Sequence, residues 1–221
     1  MYKAKLKTKC ERCGTCCMKG GPALHREDKK LLEQKCIERE NLITIRKGEP
    51  IFSLEENKTE WTVNEIIKLK GTHSEWTCIF YDQETSSCSI YLHRPLECVL
   101  LKCWDTAELE AIAGKKLLSR FDIISQNDPV LKYIQRHEKE CNLEILNQLN
   151  TESQKTVEKN ILAQLNELVN KDLAIRSEAL NHLNFTLDLE LFCFGRPVFK
   201  ILSQFGLIPR ETNGKIHLFE A

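Results

Sequence analysis

Cys10-Glu11-Arg12-Cys13-Gly14-Thr15-Cys16-Cys17 places four thiols within eight positions. A packed core gains nothing from that spacing, because side chains return to one face every ~2.0 residues in a strand and every ~3.6 in a helix. A metal site does gain. Two residues between cysteines let both sulfurs converge on one ion across a tight turn. Gly14 suits such a turn, since glycine tolerates positive φ and leaves bare backbone N–H groups near sulfur. The run therefore predicts a metal centre, and the rest of the chain must supply further ligands.

They stand downstream. Cys78-Ile-Phe-Tyr-Asp-Gln-Glu-Thr-Ser-Ser-Cys88-Ser-Ile-Tyr91 reads as a β-hairpin, two β-prone runs about a polar turn with a cysteine opening each strand. His93-Arg94-Pro95 stops the second strand, and Pro95 suits the first turn of a helix from Leu96 to about Cys103. Cys98 and Cys103 are five positions apart. That is about 140° around a regular helix, so both reach one ion only if the helix ends near Leu101. The whole pattern is C-x2-C-x2-C-C, sixty residues, then C-x9-C-x9-C-x4-C. Thiolates are soft ligands that select zinc, copper(I) or iron–sulfur clusters. Eight of them could fill two tetrahedral sites, or one four-iron cluster with spares, and the spacing does not choose. Adjacent cysteines normally point in divergent directions, so at most one of Cys16 and Cys17 is expected in a given mononuclear site.

These residues resemble the YkgJ family of cysteine-cluster proteins, described as a zinc- or iron-chelating domain. The likeness is carried by C-x2-C-x2-C-C together with Cys88-Ser-Ile-Tyr91-x2-Arg94-Pro95-x2-Cys98-x4-Cys103, over residues 10 to 105. It implies ligand roles for Cys10, Cys13, Cys16, Cys17, Cys78, Cys88, Cys98 and Cys103. Many members carry Arg just after the third downstream cysteine, where this chain has Val99, which removes one donor to a thiolate. Beside such a centre Arg94 has two readings: a hydrogen-bond donor to sulfur, or a surface or capping arginine. The motif also resembles that of flagellin lysine methylases, which implies an iron–sulfur-dependent methyl-transfer enzyme as an alternative. Against it, there is no Gly-rich loop after a strand, no C-x3-C-x2-C, and no Ser/His/Asp or paired-carboxylate arrangement. A third alternative is a redox- or metal-sensitive interaction module, whose thiolates would be oxidised or lose metal first.

Composition bounds the rest. The 221 residues hold 32 basic and 32 acidic side chains, a formal net charge of zero that gives no clear nucleic-acid signal. No stretch approaches the ~20 apolar residues of a membrane span, and the polar N-terminus is not a secretory signal. A cytoplasmic location is the expectation. There thiols stay reduced, so the eleven cysteines favour metal over disulfides, with the metal ion as partner and no membrane. Cys36, Cys141 and Cys193 lie on apolar faces and read as core; His137 and Cys141, four apart on one helical face, could instead share a metal.

Residues 2 to 9 alternate as a short strand with one lysine face. His25 is a ligand or a structural loop histidine. A helix is expected from Arg26 to about Arg39, with Leu31, Leu32 and Cys36 inward. Short strands follow at Leu42–Arg46 and Ile51–Leu54, and Trp61–Lys70 is strand or helix. Beyond Asp105 the chain is helical. Asp105-Thr-Ala-Glu108 offers a capping box with Leu109, Ala113, Leu117 and Phe121 on one face. Asp128-Pro129 starts a second helix with Val130, Ile134, His137, Cys141 and Ile145 inward. Thr151-Glu-Ser-Gln154 starts a third, through Val157, Ile161, Leu165 and Leu168. Gly195-Arg-Pro197 splits the apolar stretch Leu187–Leu207, and Asn213-Gly214 turns the chain into a strand from Lys215 to Phe219. The fold expected is α+β: a cysteine module over 1–105 with short strands and a hairpin, and a mainly helical region over 106–221 packed against it.

Overall fold

The structure, a computed structural model, describes residues 8, 10–53, 58–72, 76–149, 157–183 and 186–220. In chain order its elements are α1 (Lys29–Glu33), β1 (Leu42–Ile45), β2 (Pro50–Ser53), β3 (Lys58–Trp61), β4 (Ile66–Leu69), β5 (Tyr81–Asp82), β6 (Ser87–Cys88), α2 (Leu96–Leu100), α3 (Ala107–Ile112), α4 (Arg120–Ile123), α5 (Leu131–Glu140), α6 (Lys159–Leu183), α7 (Leu187–Phe194), α8 (Val198–Leu202), β7 (Leu207–Thr212) and β8 (Lys215–Glu220). The fold is α+β. It divides into two compact units, residues 1–42 with 67–119, and residues 43–66 with 120–221. The chain passes from one to the other at β1, at β4 and again at residue 119.

The first unit is organised on Leu24. Its N–H donates to the Ile67 carbonyl at 2.8 Å, and its carbonyl accepts from Leu118 N–H at 2.9 Å, so three distant segments share one backbone ladder. Leu24, Leu31, Ile37, Leu42, Ile67, Leu69 and Leu118 are all buried there. α1 is far shorter than the fourteen-residue helix the sequence suggests over 26–39. It stops because Lys35 adopts φ +56°. Cys36 N–H then reaches the Leu31 carbonyl at 2.9 Å, and Lys35 N–H the Leu32 carbonyl at 3.0 Å. That is the left-handed helix termination usually made with glycine. Leu31 is buried, but Leu32 and Cys36 are only half-buried.

The second unit packs α5, α7 and α8 around the 25-residue α6. α6 buries Leu165, Leu168, Val169, Ile175 and Ala179, and α7 buries Phe192, Cys193 and Phe194. β7 and β8 form an antiparallel hairpin whose turn is Asn213 at φ +53° and Gly214 at φ +71°. α6 supplies the hairpin's missing neighbour. Asn170 Oδ1 accepts from Ile216 N–H at 3.0 Å, its Nδ2 donates to the Ile216 carbonyl at 2.7 Å, and Asn166 Oδ1 accepts from Leu218 N–H at 2.8 Å. Two asparagines one turn apart thus satisfy the outer edge of β8, which would otherwise expose unpaired backbone groups.

Several boundaries differ from the sequence expectation. Leu109 and Phe121 do not share a helix: α3 ends at Ile112, and Gly114 and Lys116 turn the chain at φ +70° and +50°. Phe121 is exposed, and Leu118 and Ile124 are buried instead. Thr106 caps α3 without a side-chain hydrogen bond, so no capping box forms. α5 starts at Leu131, after Asp128 Oδ1 accepts from Val130 N–H at 3.0 Å; Val130, Ile134, His137 and Cys141 are buried as expected, but Ile145 lies beyond the helix end and is only half-buried. Trp61 ends β3, and Ile66–Leu69 is a strand. The lysine-faced strand over 2–9, Leu54, and the helix start at Thr151–Gln154 fall outside the described residues, apart from Thr8. No described helix is long and apolar enough to cross a membrane.

Candidate metal centre

The first cysteine run is a tight turn. Met18 N–H closes onto the Gly14 carbonyl at 2.8 Å, and Lys19 N–H onto Cys16 at 3.2 Å. Gly14 sits at φ +74°, and a Cβ there would lie 1.8 Å from the Tyr81 hydroxyl oxygen. Only glycine admits both the turn and the tyrosine. Tyr81 opens β5 and pairs directly with Cys88 on β6, so the tyrosine that needs Gly14 bare also carries the second cysteine group. The two groups also meet through backbone: Cys78 N–H donates to the Cys17 carbonyl at 2.8 Å, and Cys78 bridges Gly71.

α2, which carries Cys98, is fixed by buried polar side chains. Asp28 Oδ1 accepts from Leu96 N–H at 2.8 Å, and its other oxygen from His25 N–H at 2.9 Å. Burial pushes the Asp28 carboxyl up, against these two donors that pull it down. Glu97 accepts from Ala23 N–H at 2.8 Å and meets His25 Nε2 at 3.2 Å, while His25 Nδ1 donates to the Lys115 carbonyl at 2.8 Å. His25 is therefore a buried latch with both ring nitrogens engaged, and not a metal ligand. Pro95 precedes α2 as its cap instead of standing within the first turn, and the helix ends at Leu100, short of Cys103.

Five of the eight cysteines converge electrostatically. Cys16 and Cys17 sulfurs are 4.0 Å apart, close enough to hydrogen-bond and not divergent as the sequence suggests: the hydrogen bond from Cys17 brings the Cys16 thiol down to about 6, and holds Cys17 strongly up. Burial pushes Cys98 up, with charge on Cys78, Cys16 and Cys88 adding to it. Burial pushes Cys78 up, and Cys88 and Cys16 add. Charge on Cys16, Cys78 and Cys88 thus bears on Cys98, and charge on Cys16, Cys78 and Cys98 on Cys17. Cys10, Cys13 and Cys103 are exposed. The Cys10 sulfur accepts from Arg12 N–H at 3.4 Å, and Cys13 lies 3.3 Å from the Thr15 hydroxyl. Among the described residues, no three His, Cys, Asp or Glu side chains stand as a closed coordination shell. The fit to a metal rests on donor chemistry: several thiols at one locus, whose deprotonation a soft cation would favour and whose burial disfavours it otherwise.

A family model described as CxxCxxCC, "Putative zinc- or iron-chelating domain", matches residues 9–142, more than half of the chain. The chain belongs to this family. The resemblance to YkgJ proteins agrees with it, and zinc or iron is the metal that the family description gives. No curated protein and no solved structure matches the chain.

The remaining cysteines pack elsewhere. Cys141 and Cys193 are fully buried in the second unit, and burial lifts the Cys141 thiol to about 12. His137 does not join Cys141 on a metal. Its Nε2 is 2.6 Å from Asp172 Oδ1 and its Nδ1 faces Arg46 Nη1 at 3.3 Å. The sequence reading did not single out Tyr81, Glu97 or Asp28.

Proposed function

We propose that the chain binds zinc or an iron–sulfur cluster through thiolates drawn from Cys10, Cys13, Cys16, Cys17, Cys78, Cys88, Cys98 and Cys103, with the cysteine module over residues 1–105 as the binding part. The observation that carries this is the junction of the two groups: the 2.8 Å bond from Cys78 N–H to the Cys17 carbonyl, with Cys16 of the first group bearing by charge on Cys78 and Cys98 of the second. Zinc there would be structural Lewis-acid cross-linking, and an iron–sulfur cluster would add one-electron chemistry. The chain's own residues seat the second group, through Asp28, His25 and Glu97 on α2, and fit the first against it, through Gly14 and Tyr81. Anaerobic purification with an absorption spectrum and elemental analysis tests the proposal. A brown protein with sulfur-to-iron charge-transfer bands assigns a cluster, and a colourless one with stoichiometric zinc assigns zinc. Replacing Cys78 and Cys98 by Ser should abolish either. Metal content unchanged in that double variant, or absent from the wild type, refutes the proposal.

A further inference from the structure

Tyr91 joins the two cysteine groups in a second way. Arg12, from within the first run, lies with its guanidinium carbon 4.3 Å from the Tyr91 ring centroid, and Arg94 with its own at 3.8 Å. Both are cation–π distances. Arg12 holds φ +55°, an unfavoured backbone state for an arginine, so the loop is bent to present it. Two like charges are thus gathered at one ring beside a locus of thiols. The ring attracts each cation, and a nearby negative charge would offset the repulsion between the two.

Arg94 carries a further sign. Its Nε–H is buried and has no acceptor among the described residues. A buried donor left unmade costs about 1–3 kcal/mol, so native structures rarely keep one. The guanidinium's charge bears on the sulfurs of Cys16 and Cys98. A centre of four thiolates around a divalent ion carries a net double negative charge, and thiolate sulfur accepts hydrogen bonds from guanidinium. Sulfur and charge would together answer the unmet donor.

We infer that Arg94, held against Tyr91 with Arg12, is a positioning residue that stabilises the anionic metal–thiolate centre by charge and by an Nε–H donor, and so sets how tightly the metal is retained. Arg12 adds charge and closes the first run onto the second group. The inference rests on the proposed thiolate site.

The test uses the reduced full chain with Zn2+ alone. Zinc is withdrawn by a competing chelator between pH 6 and pH 8 and at low and high salt. For Arg94→Gln we expect about 10–100-fold weaker retention, the usual effect of losing an outer partner of a ligand, and a steeper loss towards acid. Arg94→Lys keeps the charge without the Nε donor and should fall between. Tyr91→Leu removes the ring and should also weaken retention. Thermal unfolding of the metal-free chain should be the same for the wild type and Arg94→Gln. Wild-type retention in Arg94→Gln, with an unchanged pH profile, overturns the inference and leaves the site proposal standing. So does a loss matched by an equal loss of metal-free stability. A wild-type chain that binds neither zinc nor iron overturns both.

Discussion

Acid should unlatch the second unit through His137. Arg46 Nη1 can only donate, and it faces Nδ1 at 3.3 Å. The neutral ring therefore carries its proton on Nε2, which donates to Asp172 Oδ1 at 2.6 Å. Protonating Nδ1 would set two donors against each other at a position where His137 and Asp172 are both fully buried. Burial brings the His137 pKa down to about 4 from 6.5, and Arg46 and Arg176 push the same way, against the bond to Asp172. The unfolded chain binds this proton near pH 6.5 and the folded chain only near pH 4. Stability is thus full above the upper value and falls as pH drops towards the lower one. At about 1.4 kcal/mol per pH unit, the loss reaches about 3 kcal/mol. Denaturant unfolding of the full chain at pH 7.5, 6.5, 5.5 and 4.5, followed by tryptophan fluorescence, measures it. His137→Gln removes the titration and should flatten the slope. Its baseline will be lower, but the shape decides. Asp28 and Glu138, whose carboxyls burial pushes up, titrate in both proteins and cancel in the comparison. Equal slopes for the two proteins between pH 6.5 and 4.5 would refute the reasoning.

Gly14→Ala must pay for φ +74° and for a Cβ 1.8 Å from the Tyr81 oxygen; strain of about 1–3 kcal/mol is expected, with Tyr81 displaced and metal retention reduced. Full zinc loading at wild-type affinity would show that the turn does not need glycine. Asn166→Ala and Asn170→Ala each strip part-buried backbone groups of β8 of a partner, at about 0.5–1.5 kcal/mol apiece. Faster hydrogen exchange at the Ile216 and Leu218 amides is the specific readout, and unchanged exchange there counts against the helix-to-strand ladder.

The parts of the fold that were legible in the sequence were local. Cysteine spacing announces a metal centre, and Asn213-Gly214 announces a hairpin, because both depend on residues a few positions apart. The Gly195-Arg-Pro197 break between α7 and α8 reads equally directly. What sequence could not give falls into two kinds. One is chain reversal by lysine: Lys35, which ends α1, and Lys116, in the turn after α3, take positive φ, a state that residue type does not announce. The other is long-range polar pairing. Residues 43–66 lie in one unit with 120–221, a grouping absent from a linear division at residue 105. Its reason is chemical: Arg46 donates to the Cys141 carbonyl at 3.1 Å, Glu65 grips Arg120 at 2.7 Å, and Glu49 pairs with Arg196. On a helical wheel His137 and Cys141 suggest a ligand pair, and only Arg46 and Asp172, distant in sequence, show that the ring is already committed.

Chelation probes how the two cysteine groups are held. The second group is built into the first unit's interior. Cys98 follows Glu97, whose carboxylate is engaged by Ala23 and His25, and Asp28 holds the start of the same helix. Leu24, Leu31, Ile37, Ile67, Leu69 and Leu118 are buried around these contacts, and each such side chain contributes about 1.5–3 kcal/mol of transfer free energy whatever the thiols bind. The first run has much less. Cys10, Cys13 and Cys16 are exposed, and the ties are Tyr81 against Gly14, Arg12 on Tyr91, and the backbone bond to Cys17. Removing the metal should therefore release residues 10–19 and leave the rest of the unit folded. Hydrogen exchange of the zinc-loaded chain, before and after chelation, should show protection lost at Met18, Lys19 and Cys78 and kept at Leu24 and Leu118. Uniform loss across the unit would mean that the metal carries the fold itself, and that the buried latch of His25, Asp28 and Glu97 is secondary to it.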